Sequence, residues 1–509
     1  MSTNTTEKSN KGMARFLNFV EKAGNKLPEP FMLFVYLAAF TILFSWIVSL
    51  FGVTVEEPGT GEVVAIKSLV SGEGLNYILT SMLDNFTGFA PLGLVLAMML
   101  GIGLADKVGL LETAIKSTIL KAPKSLITYA VIFVGILGNL ASDAAFVIVP
   151  PLAAMVFYTI GRHPLAGLAA GFAGVGSGFT ANIIIAGTDA LLSGISTEVM
   201  ESIGSDIVVT PVDNWYFMIV SVVVLSITGA LITEKIIEPR LGEYKGEASE
   251  NEMEESTPLE KKGFKNAVIA GIVFIGVLIL ALAWPGSALR NEEGGIIPSP
   301  FLDGIVPIIL FFFITIGIAY GVTVNKIEST RDISGFMSEA MKDMSGFIVL
   351  IFAAAQFIAY FSWTNIGTWV AVSGANMLES MNMTGLPVVV GFSMLTALMN
   401  LLIFSGSAQW ALEAPIFLQM FYLLDYHPAF IQAAYRIADS STNIITPMNP
   451  YIIVVLAFMR EYNKKAGLGT LISLMLPYSI IFFIIWVILL IAFALLGIPF
   501  GPGVDMYIK

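Results

Sequence analysis

Apolar runs of about twenty residues recur along this chain, at 31–53, 86–105, 213–236, 265–284, 303–323, 345–362 and 467–498. Each is long enough to cross the roughly 30 Å hydrocarbon layer of a bilayer as a helix. Such runs leave little choice of structure. Backbone N–H and C=O groups in lipid must be satisfied within the protein, which restricts spanning segments to helices and closed barrels. Barrel strands would alternate apolar and polar residues in segments of about ten, and these runs do not alternate. Composition agrees: 56% of the chain is apolar and 13% charged, where a soluble domain carries about a quarter charged residues. The chain reads as an all-α polytopic membrane protein in a lipid bilayer. It has no cysteine, which excludes disulfides, thiolate metal sites and a cysteine nucleophile.

Basic residues orient the spans, because Lys and Arg concentrate in cytoplasmic loops. Lys8, Lys11, Arg15, Lys22 and Lys26 place segment 1–30 in the cytoplasm, and that polar stretch is too long before the first apolar run for a signal peptide. Lys107, Lys116, Lys121 and Lys124 bring the chain back inside, as do Lys326, Arg331 and Lys342 and the mixed loop at 237–264. That loop is rich in acid ("GEASENEMEESTPLEKK") and reads as a solvated linker between a first membrane half, 31–236, and a second, 265–509. The formal charge of −12 therefore says little about partners, and nothing points to nucleic acid.

Two stretches in each half do not behave as simple spans. From 124 to 161 the chain is apolar but interrupted by "GNLASD" at 138–143, with basic residues at both ends. This predicts a re-entrant hairpin with its tip at membrane depth. The next segment, 164–192, is broken by "GVGSGFTAN", and a polar, glycine-rich break is tolerated only where it lines a protein cavity. The same grammar returns with a hairpin at 384–424, interrupted by "SGS" at 405–407, and a broken helix at 428–459 around "DSSTNIITPMNP". Asn139 aligns with Asn400 and Asn182 with Asn443, both 261 apart. The only two histidines, His163 and His427, each precede a proline where hairpin hands over to broken helix. By the charge count the hairpins enter from opposite sides, so the repeats are inverted, with nine transmembrane helices plus two re-entrant hairpins. Inverted repeats with paired broken helices indicate a secondary transporter whose site lies near the bilayer midplane.

An ionisable residue at that depth is a functional candidate by default. Arg436, Asp439 and Asn443 fall on one face if the helix continues past the break; the plain alternative is an Arg436–Asp439 pair that neutralises itself. Asn400, Asp439 and Asn443 supply hard oxygen ligands suited to Na⁺. The first repeat offers Asn139, Ser142, Asp143 and Asn182, and each of these residue types is equally at home as a helix cap. Asp189 lacks a carboxylate counterpart, since Pro450 aligns with it, and is either a proton carrier or a headgroup-level residue. Trp410 could stack on an aromatic substrate or pack in the core; Glu413, one turn on, is a weaker candidate, and Pro428 reads as structural. HExxH, a phosphate-binding P-loop and a hydrolase GxSxG are absent, so the chain is expected not to be an enzyme and to need no organic cofactor.

The stretches "GNLASDAAFVIVPPLA", "GSAQWALEAP" and "HP…AYRIADSSTNIITPMNPY" resemble the p-aminobenzoyl-glutamate transporter (AbgT) family, and the similarity runs from about Leu17 to about Ile498. The resemblance implies a homodimer of nine-span protomers in the bacterial inner (cytoplasmic) membrane. It further implies transport of p-aminobenzoyl-glutamate or export of sulfonamide antimetabolites by symport or antiport. Asp189, Trp410, Pro428, Arg436 and Asp439 match the family's functional positions, and Asn400 with Asp439 lies near a sodium site. The competing readings are a sodium-coupled dicarboxylate carrier, which would leave Trp410 without a ring to stack on, and an ion channel, for which no ring of like charge is visible.

Overall fold

The computed structural model describes residues 28–56, 63–141, 144–244, 246 and 256–508. Segment 1–27, most of the acidic linker, and the tip residues Ser142 and Asp143 lie outside the described residues. Among the described residues, seven helices are long and apolar enough to cross a membrane: Pro30–Ser49, Gly72–Lys107, Trp215–Leu241, Pro258–Ala283, Ile305–Thr323, Ser345–Trp363 and Leu468–Leu496. They coincide with the seven apolar runs. The helix expected to start at 265 starts at Pro258. Proline at its first position and a reciprocal cap between Thr257 and Glu260 (N···O 3.2 and 2.7 Å) satisfy the free N–H groups there. A two-stranded antiparallel ribbon, Thr54–Glu56 with Val63–Ala65, is the only sheet among the described residues.

Both hairpins are present. The first has legs Ile127–Leu137 and Ala144–Thr159 joined through the tight turn Gly138–Ala141. The second has legs Leu386–Asn400 and Gly406–Tyr422. The legs, of 11, 16, 15 and 17 residues, fall short of the roughly 20 residues that usually cross a bilayer, as expected of hairpins that reverse inside the protein. The broken helices follow as Pro164–Ser177 with Gly187–Ser202, and Pro428–Thr442 with Tyr451–Tyr462.

The breaks fall later than the sequence suggests, at 178–186 and 443–450 rather than at 174–182 and 439–450. The first broken helix also runs on to Ser202 rather than ending at 192. The polar "DSST" stays helical because its hydroxyls bond their own turn: Thr442 Oγ1 donates to the Ala438 carbonyl at 2.9 Å and Ser441 Oγ at 3.3 Å. The glycines at 174 and 176 stay helical because they are needed for packing. A Cβ on Gly174 would lie 2.8 Å from the Ile132 carbonyl oxygen, and one on Gly176 would lie 2.5 Å from Ile444. Small residues let the helix backbones approach this closely.

The two histidines do the same job. Nδ1 of His163 accepts from the Leu165 N–H and Nδ1 of His427 from the Ala429 N–H, both at 3.2 Å, so each caps the helix that its proline begins. His163 packs by its ring on Tyr244, next to the segment after Trp215–Leu241, whereas the His427 N–H bonds the Met506 carbonyl near the other end of the molecule. The broken helices thus start from opposite ends and run toward each other, which is the inverted arrangement.

A cap that accepts through Nδ1 needs a neutral ring. His427 lies in the turn outside both helices, and burial pushes its imidazole down to about 4 against a weaker upward pull from Asp505. Its folded-state value is depressed, so its contribution is full above the unfolded value and is lost as pH falls toward 4. By about pH 5 the loss is on the order of 2 kcal/mol. Tm in detergent should therefore fall between about pH 7 and about pH 5, and His427→Asn, which keeps a cap acceptor, should shrink that fall.

Candidate functional site

The first break meets the last helical turn before the second. Thr180 Oγ1 and Ser440 Oγ are 2.6 Å apart, the Thr180 N–H donates to Ser440 Oγ at 3.1 Å, and Ser177 Oγ donates to the Ser441 carbonyl at 2.9 Å. Each break is bracketed by the asparagine at its own hairpin's tip. Asn139 Nδ2 donates to the carbonyls of Phe179 and Ala181 at 2.9 and 3.0 Å. Asn400 Nδ2 lies within 2.7–2.9 Å of the Asp439 carbonyl, Thr442 Oγ1 and Asn443 Oδ1. The amide nitrogens therefore act as caps, holding the carbonyls that an interrupted helix leaves free. The amide oxygens do not: Oδ1 of Asn139 and Oδ1 of Asn400 are buried without a donor, as is Oδ1 of Asp439.

Asp439, 2% exposed, lies against the start of the second hairpin's return leg. A Cβ on Gly406 would come within 2.9 Å of its Oδ1, so a side chain there would push the carboxylate aside. The first turn of a helix is also the end that favours negative charge. The Tyr435 hydroxyl donates to the Gly406 carbonyl and fixes the tip on the broken helix.

Asp439 does not pair with Arg436. The Arg436 guanidinium reaches across to the other repeat and donates from Nη2 to Asp189 Oδ1. Both residues are buried, at 1% and 3% exposure. Asp189 is thus buried inside the protein. Its other oxygen accepts from the Ala186 N–H at 2.7 Å and from Asn182 Nδ2 at 2.6 Å, in the first turn of Gly187–Ser202. Asn182, although aligned with Asn443, donates to Asp189, whereas Asn443 accepts from Asn400. Arg436 Nε has no partner.

Trp410 is fully buried in this conformation. Its ring lies 4.5 Å from that of Tyr435, and its indole N–H donates to Ser196 Oγ at 3.1 Å and the Leu192 carbonyl at 3.2 Å. It ties the second hairpin to Gly187–Ser202 and does not face the central cavity. Pro428 is the first residue of its helix, eight positions or about 12 Å from Arg436, and is not brought to the site. Asp439 and Asn443 do line a 370 Å³ cavity between the breaks, together with Thr180, Thr188 and Ser405 to Ser407. The rest of its wall is apolar, with Leu191, Leu192 and Pro450 beside four aromatic rings: Phe179, Phe404, and Phe146 stacked on Tyr451 at 4.5 Å and 4°. Reasoning from sequence missed these rings, although Phe179 and Phe404 stand inside the interruptions themselves. A larger hollow of 670 Å³ between Ser117–Phe133 and Val223–Ile227 holds none of these residues.

With this geometry in view, comparison with known proteins is decisive. Residues 15–508 match the model of the family described as "AbgT putative transporter family". The chain belongs to the AbgT family. It is 44% identical to the p-aminobenzoyl-glutamate transport protein of Escherichia coli (strain K12) over 491 residues, 96% of each chain. It resembles the crystal structure of the Alcanivorax borkumensis YdaH transporter, with a TM-score of 0.89 and 37% identity over 93% of this chain and all of that one. The structure of Neisseria gonorrhoeae MtrF, which illuminates a class of antimetabolite efflux pumps, aligns with a TM-score of 0.91 and 42% identity over 96% of this chain and all of that one. The protein is a multi-pass membrane transporter, and its relatives are transporters rather than enzymes.

Removing one partner of a buried ion pair strands the other charge, which costs about 3–5 kcal/mol. Asp189→Asn should lower Tm in detergent markedly, and adding Arg436→Met should recover part of that loss, because the two effects are coupled.

Proposed function

We propose that this AbgT family member is a secondary active transporter of p-aminobenzoyl-glutamate or a related aromatic anion, sulfonamide antimetabolites included, driven by a gradient of Na⁺, H⁺ or both. The observation that carries the reading is the aromatic-walled cavity at the meeting of the breaks, with an arginine held just behind it. An aryl ring fits against the Phe146–Tyr451 stack and gains from offset or edge contacts with Phe179 and Phe404. Opening the contact between repeats exposes Arg436, whose planar fork grips a carboxylate bidentately. In the closed arrangement Asp189 takes that place, so substrate carboxylate and Asp189 exchange on the same guanidinium. Trp410 joins the lining only when its Ser196 bond is released.

The donor set fits a hard monovalent cation. Asn400 Oδ1 and Asp439 Oδ1 are buried acceptors without donors, and no group of three or more His, Cys, Asp or Glu gathers among the described residues. Asn400 and Asp439 would hold Na⁺, with Asn443 fixing Asn400. Asn139 Oδ1 is the matching free oxygen of the first repeat, near Asn182. A bound cation there supplies charge that cancels the Asp439 carboxylate. The same reading places the protein in a bacterial inner membrane as a homodimer, N-terminus cytoplasmic, with nine crossings when each broken helix counts as one.

Two variants test it in proteoliposomes with labelled p-aminobenzoyl-glutamate and Na⁺ or H⁺ gradients imposed separately. Arg436→Lys keeps charge but loses the fork, so substrate binding should weaken about tenfold or more, an energy of about 1.4 kcal/mol. Wild-type binding by that variant rules the arginine out as the substrate anchor. Asp439→Asn should remove the Na⁺ dependence of transport.

A further inference from the structure

We propose that Glu413, on the return leg of the second hairpin, is a proton-binding site of this transporter, separate from the cation position at Asp439. The inference rests on the transporter reading above and names a further residue that couples it to a proton gradient.

Glu413 is 1% exposed. Its oxygens accept from Thr396 Oγ1 at 2.6 Å and from Gln409 Nε2 at 2.7 Å, and the same Gln409 nitrogen donates to the Thr396 carbonyl at 2.9 Å. Both partners are neutral. The elements packed against the leg Gly406–Tyr422 carry few other ionisable groups. These are Tyr435, Arg436 and Asp439 on Pro428–Thr442, Asp189, Glu198 and Glu201 on Gly187–Ser202, Glu379 on Ile366–Ser380, and Tyr360 on Ser345–Trp363; Leu386–Asn400 carries none. The one cation among them, Arg436, is bound to Asp189. An ionised Glu413 is therefore a buried carboxylate without a counter-charge, which membrane proteins keep only for a purpose.

The pocket is built for both protonation states. A hydroxyl donates or accepts as its hydrogen rotates. Thr396 donates to the carboxylate and accepts from the carboxylic acid, so the shell need not move when the proton leaves. Gln409 Oε1 is a buried acceptor without a donor beside the acid, a second place for a carboxyl hydrogen to point. Charge bookkeeping at the site agrees. Asp189 and Arg436 cancel, which leaves one negative charge on Asp439 and one on Glu413. Seven residues, about two turns or 10 Å, separate Glu413 from Gly406, the residue against which Asp439 lies. At that distance in a poorly polarisable interior the two carboxylates repel. Occupancy of Asp439 by a cation and of Glu413 by a proton are thus linked, and moving the hairpin tip off Asp439 changes both.

The direct test is the number of protons moved per substrate, read with a pH dye inside proteoliposomes during uptake of labelled p-aminobenzoyl-glutamate. Glu413→Gln keeps the hydrogen bonds of the neutral acid but cannot ionise, and the proton count per substrate should fall at least tenfold. Glu413→Asp, which shortens the arm but keeps the carboxyl, should retain proton movement. A purely structural Glu413 gives the reverse pattern, with glutamine serving and aspartate failing, and that result overturns the proposal. Should the wild type move no p-aminobenzoyl-glutamate, the transport reading fails by itself. Infrared difference spectra of the purified protein across a pH titration then decide Glu413 alone. A protonated-carboxyl band present in the wild type and missing in Glu413→Gln supports the site; identical bands in both overturn it.

Discussion

Two helices are interrupted at membrane depth, and nearly everything else in this protein follows from what those interruptions leave undone. An α-helix that stops in lipid strands carbonyls at one end and N–H groups at the other, with no water to take them. Here the stranded groups are met from three directions: by the opposing break through Thr180, Ser440 and Ser177, by a hairpin-tip asparagine in each repeat, and by the Asp189 carboxylate at the restarted helix. The re-entrant hairpins exist to deliver those tips. The close crossings at Gly135 and Gly174 let them come near enough, since a Cβ on either would meet the other's backbone at about 3 Å. What remains unsatisfied is a short set of buried oxygens, Oδ1 of Asn139, Asn400 and Asp439, and these are the acceptors on which the proposed cation site rests.

The electrostatics follow from the same geometry. A single guanidinium serves the core, and it is shared across the repeats rather than along one helix. The bond from Arg436 to Asp189 therefore joins the two halves of the chain. On the function proposed above, a substrate carboxylate would compete with Asp189 for that one partner, and binding would loosen the contact between the repeats. Asp439 has no ion-pair partner of its own among the described residues, since Arg436 is bonded to Asp189, and lies against the first turn of the second hairpin's return leg, the end of a helix that favours negative charge.

Much of this was legible in the sequence because membranes allow so few solutions. Apolar run length gave the seven long helices, and polar or glycine-rich interruptions with basic flanks gave both hairpins and both broken helices. The spacing of 261 between Asn139 and Asn400 and between Asn182 and Asn443 exposed the repeat. Less could be read where partners are far apart in the chain. Nothing local to Arg436 says that its partner is 247 positions away and not three. The aligned Asn182 and Asn443 differ in use because Asp189 has no counterpart in the second repeat. "DSST" looks like a helix terminator, but two of its three hydroxyls, those of Ser441 and Thr442, return to the helix's own Ala438 carbonyl and the third, that of Ser440, bonds Thr180, so the break comes later. Trp410 could be core or ligand from sequence, and only the Ser196 and Tyr435 contacts make it core in this conformation.

If the proposed transporter works by parting its two repeats, the contact between Thr180 and Ser440 must break during each cycle. The chain contains no cysteine, so a single introduced pair reports without background. The hydroxyls of Thr180 and Ser440 are 2.6 Å apart, which puts their side chains in reach of the roughly 3.8 Å Cβ separation of a disulfide. The double variant Thr180→Cys with Ser440→Cys should cross-link on mild oxidation, stop transport when oxidised and recover it on reduction. Full transport with the disulfide formed, or no disulfide between two thiols that each react alone, would contradict the account.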